Sequence, residues 1–132
     1  MPASDSWPAP HADHPLSATI TIPGSKSLSN RYLILAALGV RPVTIHGLLR
    51  SRDTELMMRA LRTLGVECDI ADDDLTVVRV LRPRDGRFIG NTTVDCGLAG
   101  TVIRFVPPLA TLADVPVCFA GVVQAYPRPL QP

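Results

Sequence analysis

The sequence predicts an α/β protein, and three observations carry that expectation. Short alternating or β-branched runs interleave with apolar runs of helical period, so strands and helices succeed one another along the chain. Two of the expected helices open on glycine-bearing turns, at residues 23–31 and 97–101, about seventy residues apart, which hints at a repeated unit. A composition of 46% hydrophobic and 19% charged residues in a chain of 132 is that of one ordinary globular domain with enough apolar side chains for a core.

Residues 1–15 hold Pro2, Pro8, Pro10 and Pro15 among small and polar side chains, and read as a flexible leader. His11 and His14 lie there without the further ligands and supporting shell that a metal site needs, so they are tail histidines. Residues 16–22 alternate: Leu16, Ala18, Ile20 and Ile22 share one side and Ser17, Thr19 and Thr21 the other, the pattern of a half-buried strand. Pro23 and Gly24 end it. The helix beyond should place Leu28, Tyr32, Leu35 and Ala36 on its apolar face and stop at Gly39.

Residues 43–46 form a short strand, in which His46 has no acid or nucleophile near it in sequence. Ser51 or Asp53 caps the next helix, Glu55 sits in its first turn, and Leu56, Ala60, Leu61 and Leu64 make an apolar stripe before Gly65. Residues 66–70 and 75–81 read as two strands around the acidic turn Asp72-Asp73-Asp74, which lacks the alternating ligands and central glycine of a calcium loop. Arg79, Arg82, Arg84 and Arg87 fall around a loop marked by Pro83 and Asp85-Gly86, where charge serves solvation. Residues 92–95 are a brief strand, Gly97 to Thr101 a turn, and the following helix should end or kink early at Pro107 and Pro108. Residues 115–119 make the last strand, and Tyr126-Pro127-Arg128-Pro129 is extended because residues before proline avoid the helical region.

Thirteen Lys and Arg against twelve Asp and Glu leave a net charge of +1, too little for a broad nucleic-acid or membrane surface. Cys68, Cys96 and Cys118 are odd in number and contain no C-x-x-C pair, so neither a disulfide framework nor a zinc site is indicated. They read as small hydrophobes in a reducing compartment. The opening segment lacks the cationic and apolar regions of a signal peptide, and no run reaches the length of a membrane span. The expectation is a soluble cytoplasmic protein.

The chemistry concentrates in PGSKSLSNR, residues 23–31. A helix N-terminus offers backbone N–H groups and the positive end of the helix dipole, and Lys26 and Arg31 add two cations beside them. Ser25, Ser27 and Ser29 supply hydroxyl donors or a helix cap. Anion binding and plain capping both explain the turn. A Walker-type phosphate loop does not, because Gly24 stands alone with Lys26 two residues behind it. In the second turn the small residues before the helix allow backbone N–H groups to approach an anion closely, although a tight strand-to-helix turn uses the same glycines.

Four stretches together resemble the 5-enolpyruvylshikimate-3-phosphate synthase family, also called 3-phosphoshikimate 1-carboxyvinyltransferases, and are most similar to actinobacterial members: PGSKSLSNR (23–31), LLRSRDTELMMRALRTLGV (48–66), DCGLAGTVIRF (95–105) and Arg128-Pro129. The resemblance implies a partial enolpyruvyl-transferase fold, an incomplete lobe of an inside-out α/β barrel built from βαβαββ repeats. Residues 16–132 would be the N-terminal part of the transferase domain, with the first strand crossing to the far lobe and PGSKS in a hinge. It implies transfer of the enolpyruvyl group of phosphoenolpyruvate to the 5-hydroxyl of shikimate 3-phosphate, with release of phosphate, in the route to chorismate and the aromatic amino acids. Neither a metal nor an organic cofactor is implied, and the full-length family protein is expected to be a monomer.

Carried over by position, Lys26, Ser27 and Arg31 would hold shikimate 3-phosphate, the last two at its carboxylate. Lys26, Gly100 and Arg128 would face the phosphate of phosphoenolpyruvate. The alignment of Arg128 rests on its spacing from Gly121 and on Arg128-Pro129. Family members are longer, and their acid and base residues fall beyond position 132, so no catalytic residue is assigned here. Two other readings accompany this one: a non-catalytic remnant with at most weak anion binding, and the sister transferase acting on UDP-N-acetylglucosamine. The latter carries alanine before the lysine and asparagine after it, where this chain has Ser25 and Ser27.

Overall fold

A computed structural model describes residues 7–125. The elements run in the order α1 (Lys26–Leu38), β1 (Val43–Ile45), α2 (Arg52–Thr63), β2 (Glu67–Ile70), β3 (Val78–Leu81), β4 (Thr92–Asp95), α3 (Gly100–Ala110) and β5 (Val117–Ala120), with a 3-10 turn at Val123–Ala125. Strands and helices interleave as the periodicity requires.

α1 and α2 each start at a serine cap. The Ser25 hydroxyl accepts from the Leu28 N–H at 3.4 Å, and at the other end of α1 the Gly39 N–H donates to the Ala36 carbonyl. Ser51 caps α2 through a reciprocal pair: its hydroxyl accepts from the Thr54 N–H at 3.3 Å while Thr54 Oγ1 accepts from the Ser51 N–H at 2.9 Å. Ala99 precedes α3 with no side-chain cap.

Two sheets flank the helices. β3 lies between β1 and β2 and is antiparallel to both, with Val80 opposite Val43 on one side and Cys68 on the other. β4 and β5 run parallel, Thr92 opposite Val117 and Asp95 opposite Ala120, and α3 is their crossover. Leu33, Met57, Met58, Leu61, Leu64, Val78, Val80, Val94, Val102 and Val106 are fully buried where the three helices meet one another and the sheets.

Four expectations need correction. Residues 16–22 form no strand: Leu16, Ile20 and Ile22 are exposed, and no described segment pairs with them. Alternation makes a strand only where a neighbouring edge accepts its hydrogen bonds. Gly24 instead lies against the loop at Gly47, so closely that a Cβ there would sit 2.2 Å from the Gly47 carbonyl oxygen. Of the four residues expected on the buried face of α1 only Ala36 is buried. Ser29, Asn30, Leu33, Ala36 and Ala37 point inward, while Leu28, Tyr32 and Leu35 are exposed. Apolar residues surround this helix on nearly every side, so periodicity selects no unique face, and the small Ser29, Ala36 and Ala37 permit the closest approach to neighbouring helices. Third, α3 continues through Pro107 and Pro108 to Ala110. The missing N–H groups fall in its final turns, where Val106, Leu109 and Ala110 are buried against the core. Last, β3 and β5 begin later than expected, at Val78 and Val117, leaving Leu75 and Val115 exposed in the preceding loops.

Candidate functional site

The N-terminal turns of all three helices meet at one end of the helical layer, and three contacts fix them there. Lys26, the first residue of α1, places Nζ 3.1 Å from Asp53 Oδ2 in the first turn of α2. Leu56 of α2 packs under Gly97, where an added Cβ would lie 2.9 Å from Leu56 Cδ1. Gly97 itself has φ +47°, a conformation that favours glycine, and its N–H donates to Asp95 Oδ1 at 2.9 Å. Asn30 of α1 donates through Nδ2 to Thr101 Oγ1 of α3 at 2.9 Å. The three helix N-termini thus lie near one another, with the Lys26 ammonium beside the Asp53 carboxylate, which already offsets the positive end of α2.

Arg31 is held within the same turn. Its Nη1 donates to the Ser27 carbonyl at 3.3 Å and also to the Ser27 hydroxyl, and its guanidinium stands over the Phe105 ring of α3, 5.5 Å from the centroid. Lys26, Ser27 and Arg31 are exposed. Gly100, the first residue of α3, lies directly after the uncapped Ala99, so the first-turn N–H groups of α3 belong to the same positive end. Lys26, Ser27 and Arg31 share the first turns of α1, and Gly100 precedes Thr101, which accepts from Asn30 of that helix. Arg128 lies outside the described residues.

Polar side chains behind the surface brace this arrangement. Ser29 Oγ accepts from the Leu49 N–H at 2.9 Å and ties α1 to the loop before α2. Asn30 is fully buried, and its Oδ1 has no hydrogen-bond partner. A buried polar group left half satisfied is costly, and this one joins the two helices whose N-termini carry the site. Sequence reasoning singled out neither Asn30 nor Phe105, and it read Asp53 only as a cap. Asn30 had a signal, an amide at the start of an apolar helical run. The pairings of Asp53 with Lys26 and Phe105 with Arg31 are long-range and have none.

Elsewhere, the arginines gathered by sequence around residues 79–87 are dispersed. Arg79 lies 4.0 Å from Asp69, Arg82 binds the Gly86 carbonyl and covers the Phe88 ring, and Arg87 pairs with Asp114 at 2.8 Å. Two hydrogen bonds from Thr76 hold the exposed Asp74 carboxyl below its usual range, which makes the acidic turn a capped loop. Burial pushes the Cys68 thiol up to about 11 and raises Cys96 as well. Among the described residues no cluster of His, Cys, Asp and Glu could hold a metal ion, and no helix is long and apolar enough to cross a membrane.

Fold and site together define an α/β protein in which a parallel β-α-β unit and a neighbouring helix bring their helix N-termini to one end of the helical layer. The chain belongs to the EPSP synthase (3-phosphoshikimate 1-carboxyvinyltransferase) family, whose model matches residues 10–132. It is 66% identical over 126 residues to the 3-phosphoshikimate 1-carboxyvinyltransferase of Bifidobacterium longum, covering 96% of this chain and 28% of that protein. It is 51% identical over 136 residues to the protein of the same name from Mycobacterium ulcerans, covering 100% of this chain and 30% of that one. The chain therefore spans less than a third of the length of these relatives. A solved structure of EPSP synthase from Acinetobacter baumannii superimposes with a TM-score of 0.73 at 21% identity, over 84% of this chain and 25% of that one. The fold is thus part of the enolpyruvyl-transferase architecture, α/β and, among the described residues, without a closed barrel.

Proposed function

We propose that this chain is part of a 3-phosphoshikimate 1-carboxyvinyltransferase and forms one wall of its substrate site. The observation that carries the reading is the convergence of the Lys26, Ser27 and Arg31 turn with the Gly100 turn, in a chain of this family. Shikimate 3-phosphate is held by Lys26, Ser27 and Arg31, with its carboxylate on the last two. The phosphate of phosphoenolpyruvate lies toward Lys26, the N-terminus of α3 at Gly100, and Arg128. In the reaction the 5-oxygen of shikimate 3-phosphate bonds to C2 of phosphoenolpyruvate as it loses its proton and C3 takes one up, giving a tetrahedral intermediate; a C3 proton is then lost, the C2–O bond to the phosphate breaks, and the double bond re-forms as phosphate leaves. Negative charge gathers on the tetrahedral intermediate and the departing phosphate, where fixed cations and helix dipoles stabilise it.

The proton-transfer groups are proposed to lie outside these 132 residues, so the isolated chain is a binding element without turnover. Residues 16–132 are read as the N-terminal part of the transferase domain and 1–15 as a leader. The complete protein is read as a cytoplasmic monomer acting on small molecules, without nucleic-acid or membrane partners. Titration of the chain with shikimate 3-phosphate, followed by backbone amide NMR shifts, tests the site. Shifts confined to residues 24–31 and 97–102, lost in Lys26→Ala and Arg31→Ala, are expected. Preferential binding of UDP-N-acetylglucosamine would refute the assignment of acceptor. Phosphate release with both substrates should be absent, and measurable turnover would show that the acid and base lie within this chain.

A further inference from the structure

Phe105 stands beside the site with no role in the reading above. It sits in the second turn of α3, half buried, and with Arg31, Ile34, Leu35, Arg104 and Pro108 it lines an open groove of about 330 Å³ between α1 and α3. Its ring face receives the Arg31 guanidinium at 5.5 Å from the centroid. Arg31 Nη1 also donates to the carbonyl and hydroxyl of Ser27. One cation is thus anchored at once to the first turn of its own helix and to a ring on the neighbouring helix.

An arginine on a helix surface ordinarily samples many rotamers, and a ligand that needs one of them bears the cost of selecting it. The two anchors act on different parts of the group. Ser27 takes Nη1, which leaves the Nε and Nη2 edge of the fork as the pair that can meet a carboxylate with two parallel bonds. Hydrogen bonds to Nη1 alone leave the rest of the guanidinium free to turn about them; the Phe105 ring, its centroid 5.5 Å from Cζ, limits that turning. We propose that Phe105 is a positioning residue, whose ring face orients Arg31 so that its Nε and Nη2 edge is ready for the carboxylate of the acceptor substrate. The inference rests on the reading of Arg31 as the carboxylate ligand.

Phe105→Leu keeps apolar bulk and removes the π face, whereas Phe105→Tyr restores the face. In the unliganded chain the Arg31 Nε–H resonance is expected to lie under the ring current and to move on Phe105→Leu. Affinity for shikimate 3-phosphate should fall about threefold in Phe105→Leu, return in Phe105→Tyr, and be insensitive to Phe105→Leu once Arg31 is alanine. An Arg31 Nε–H signal unmoved by Phe105→Leu, or a loss of affinity that Phe105→Tyr does not restore, overturns the inference. The ring-current comparison needs no ligand and decides the contact by itself. If Arg31→Ala leaves shikimate 3-phosphate binding unchanged while the ring current is present, the reading of Arg31 fails rather than the contact, and the inference falls with it.

Discussion

α1 and α2 are neighbouring helices of nearly equal length that pack on each other, yet they put their residues to opposite uses. α2 buries Leu56, Met57, Met58, Ala60 and Leu61, ends at the buried Leu64, sets its charges outward, and closes its N-terminus with a reciprocal cap between Ser51 and the buried Thr54. α1 buries Ser29 and Asn30 alongside Leu33 and two alanines, and leaves Leu28, Tyr32 and Leu35 exposed. α2 is chiefly a packing helix, whose Asp53 alone reaches the Lys26 turn. α1 is a presenting helix: its first turns expose Lys26, Ser27 and Arg31, the residues proposed to meet the acceptor, and its buried polar groups fix where that turn stands.

The strongest way to break this contrast is to truncate one large apolar residue on each helix. Met57→Ala, at a fully buried site, should destabilise the chain by about 2–5 kcal/mol. Leu35→Ser, at a position 61% exposed, should change stability by less than about 0.5 kcal/mol. Urea denaturation followed by circular dichroism measures both. Equal losses would mean that the exposed face of α1 is covered in solution and that the two helices are equivalent.

The same contrast explains what could be read from sequence. The stripe of α2 was legible because its apolar residues recur at helical spacing with charges between them, and the structure buries every one that the spacing selected. α1 misled because apolar side chains occupy nearly all its faces; its orientation is decided by Ala36, Ala37 and Ser29, whose small size is visible only against a neighbour, and by the Asn30 bond to Thr101. The site divides in the same way. Lys26, Ser27, Arg31 and Gly100 sit in local turns with a backbone logic of their own. Asp53 and Phe105 join them through tertiary contacts, which no spacing encodes. The strand expected over residues 16–22 failed for a related reason, since a strand is a property of two segments and only one was in view.

A second test concerns the packed side of the molecule, where Cys68 of β2 lies opposite Val80 and is 4% exposed. Burial raises its thiol from 9.0 to about 11, so the folded state keeps the proton that the unfolded state gives up. The stability linked to that proton is fully present below pH 9 and is lost as pH rises toward 11, by on the order of 2 kcal/mol. Cys68→Ala should lower stability at neutral pH through the lost packing, and should flatten its decline between pH 9 and 11. An unchanged slope would locate the alkaline sensitivity elsewhere. Alkylation at pH 8 gives an independent check: the exposed Cys118 should react while Cys68 stays protected.

The smallest expected effect is at the helix starts, and it bears most directly on function. The Ser51 cap of α2 is reciprocal and part buried, and Thr54 Oγ1 also donates to the Leu49 carbonyl at 2.7 Å, so the N-terminus is knitted into the preceding loop. Ser51→Ala should cost about 1 kcal/mol. The Ser25 cap of α1 is a single exposed bond of 3.4 Å, near the limit of a useful hydrogen bond. Ser25→Ala should cost less than half as much in the same denaturation experiment. A weakly capped start suits a helix whose first N–H groups serve a ligand, because a strong intramolecular acceptor would compete with the anion for them. Shikimate 3-phosphate at saturating concentration should therefore shrink the cost of Ser25→Ala and leave that of Ser51→Ala unchanged. If the ligand shifts both variants equally, the start of α1 is an ordinary helix end and the distinction between the two helices does not extend to their caps.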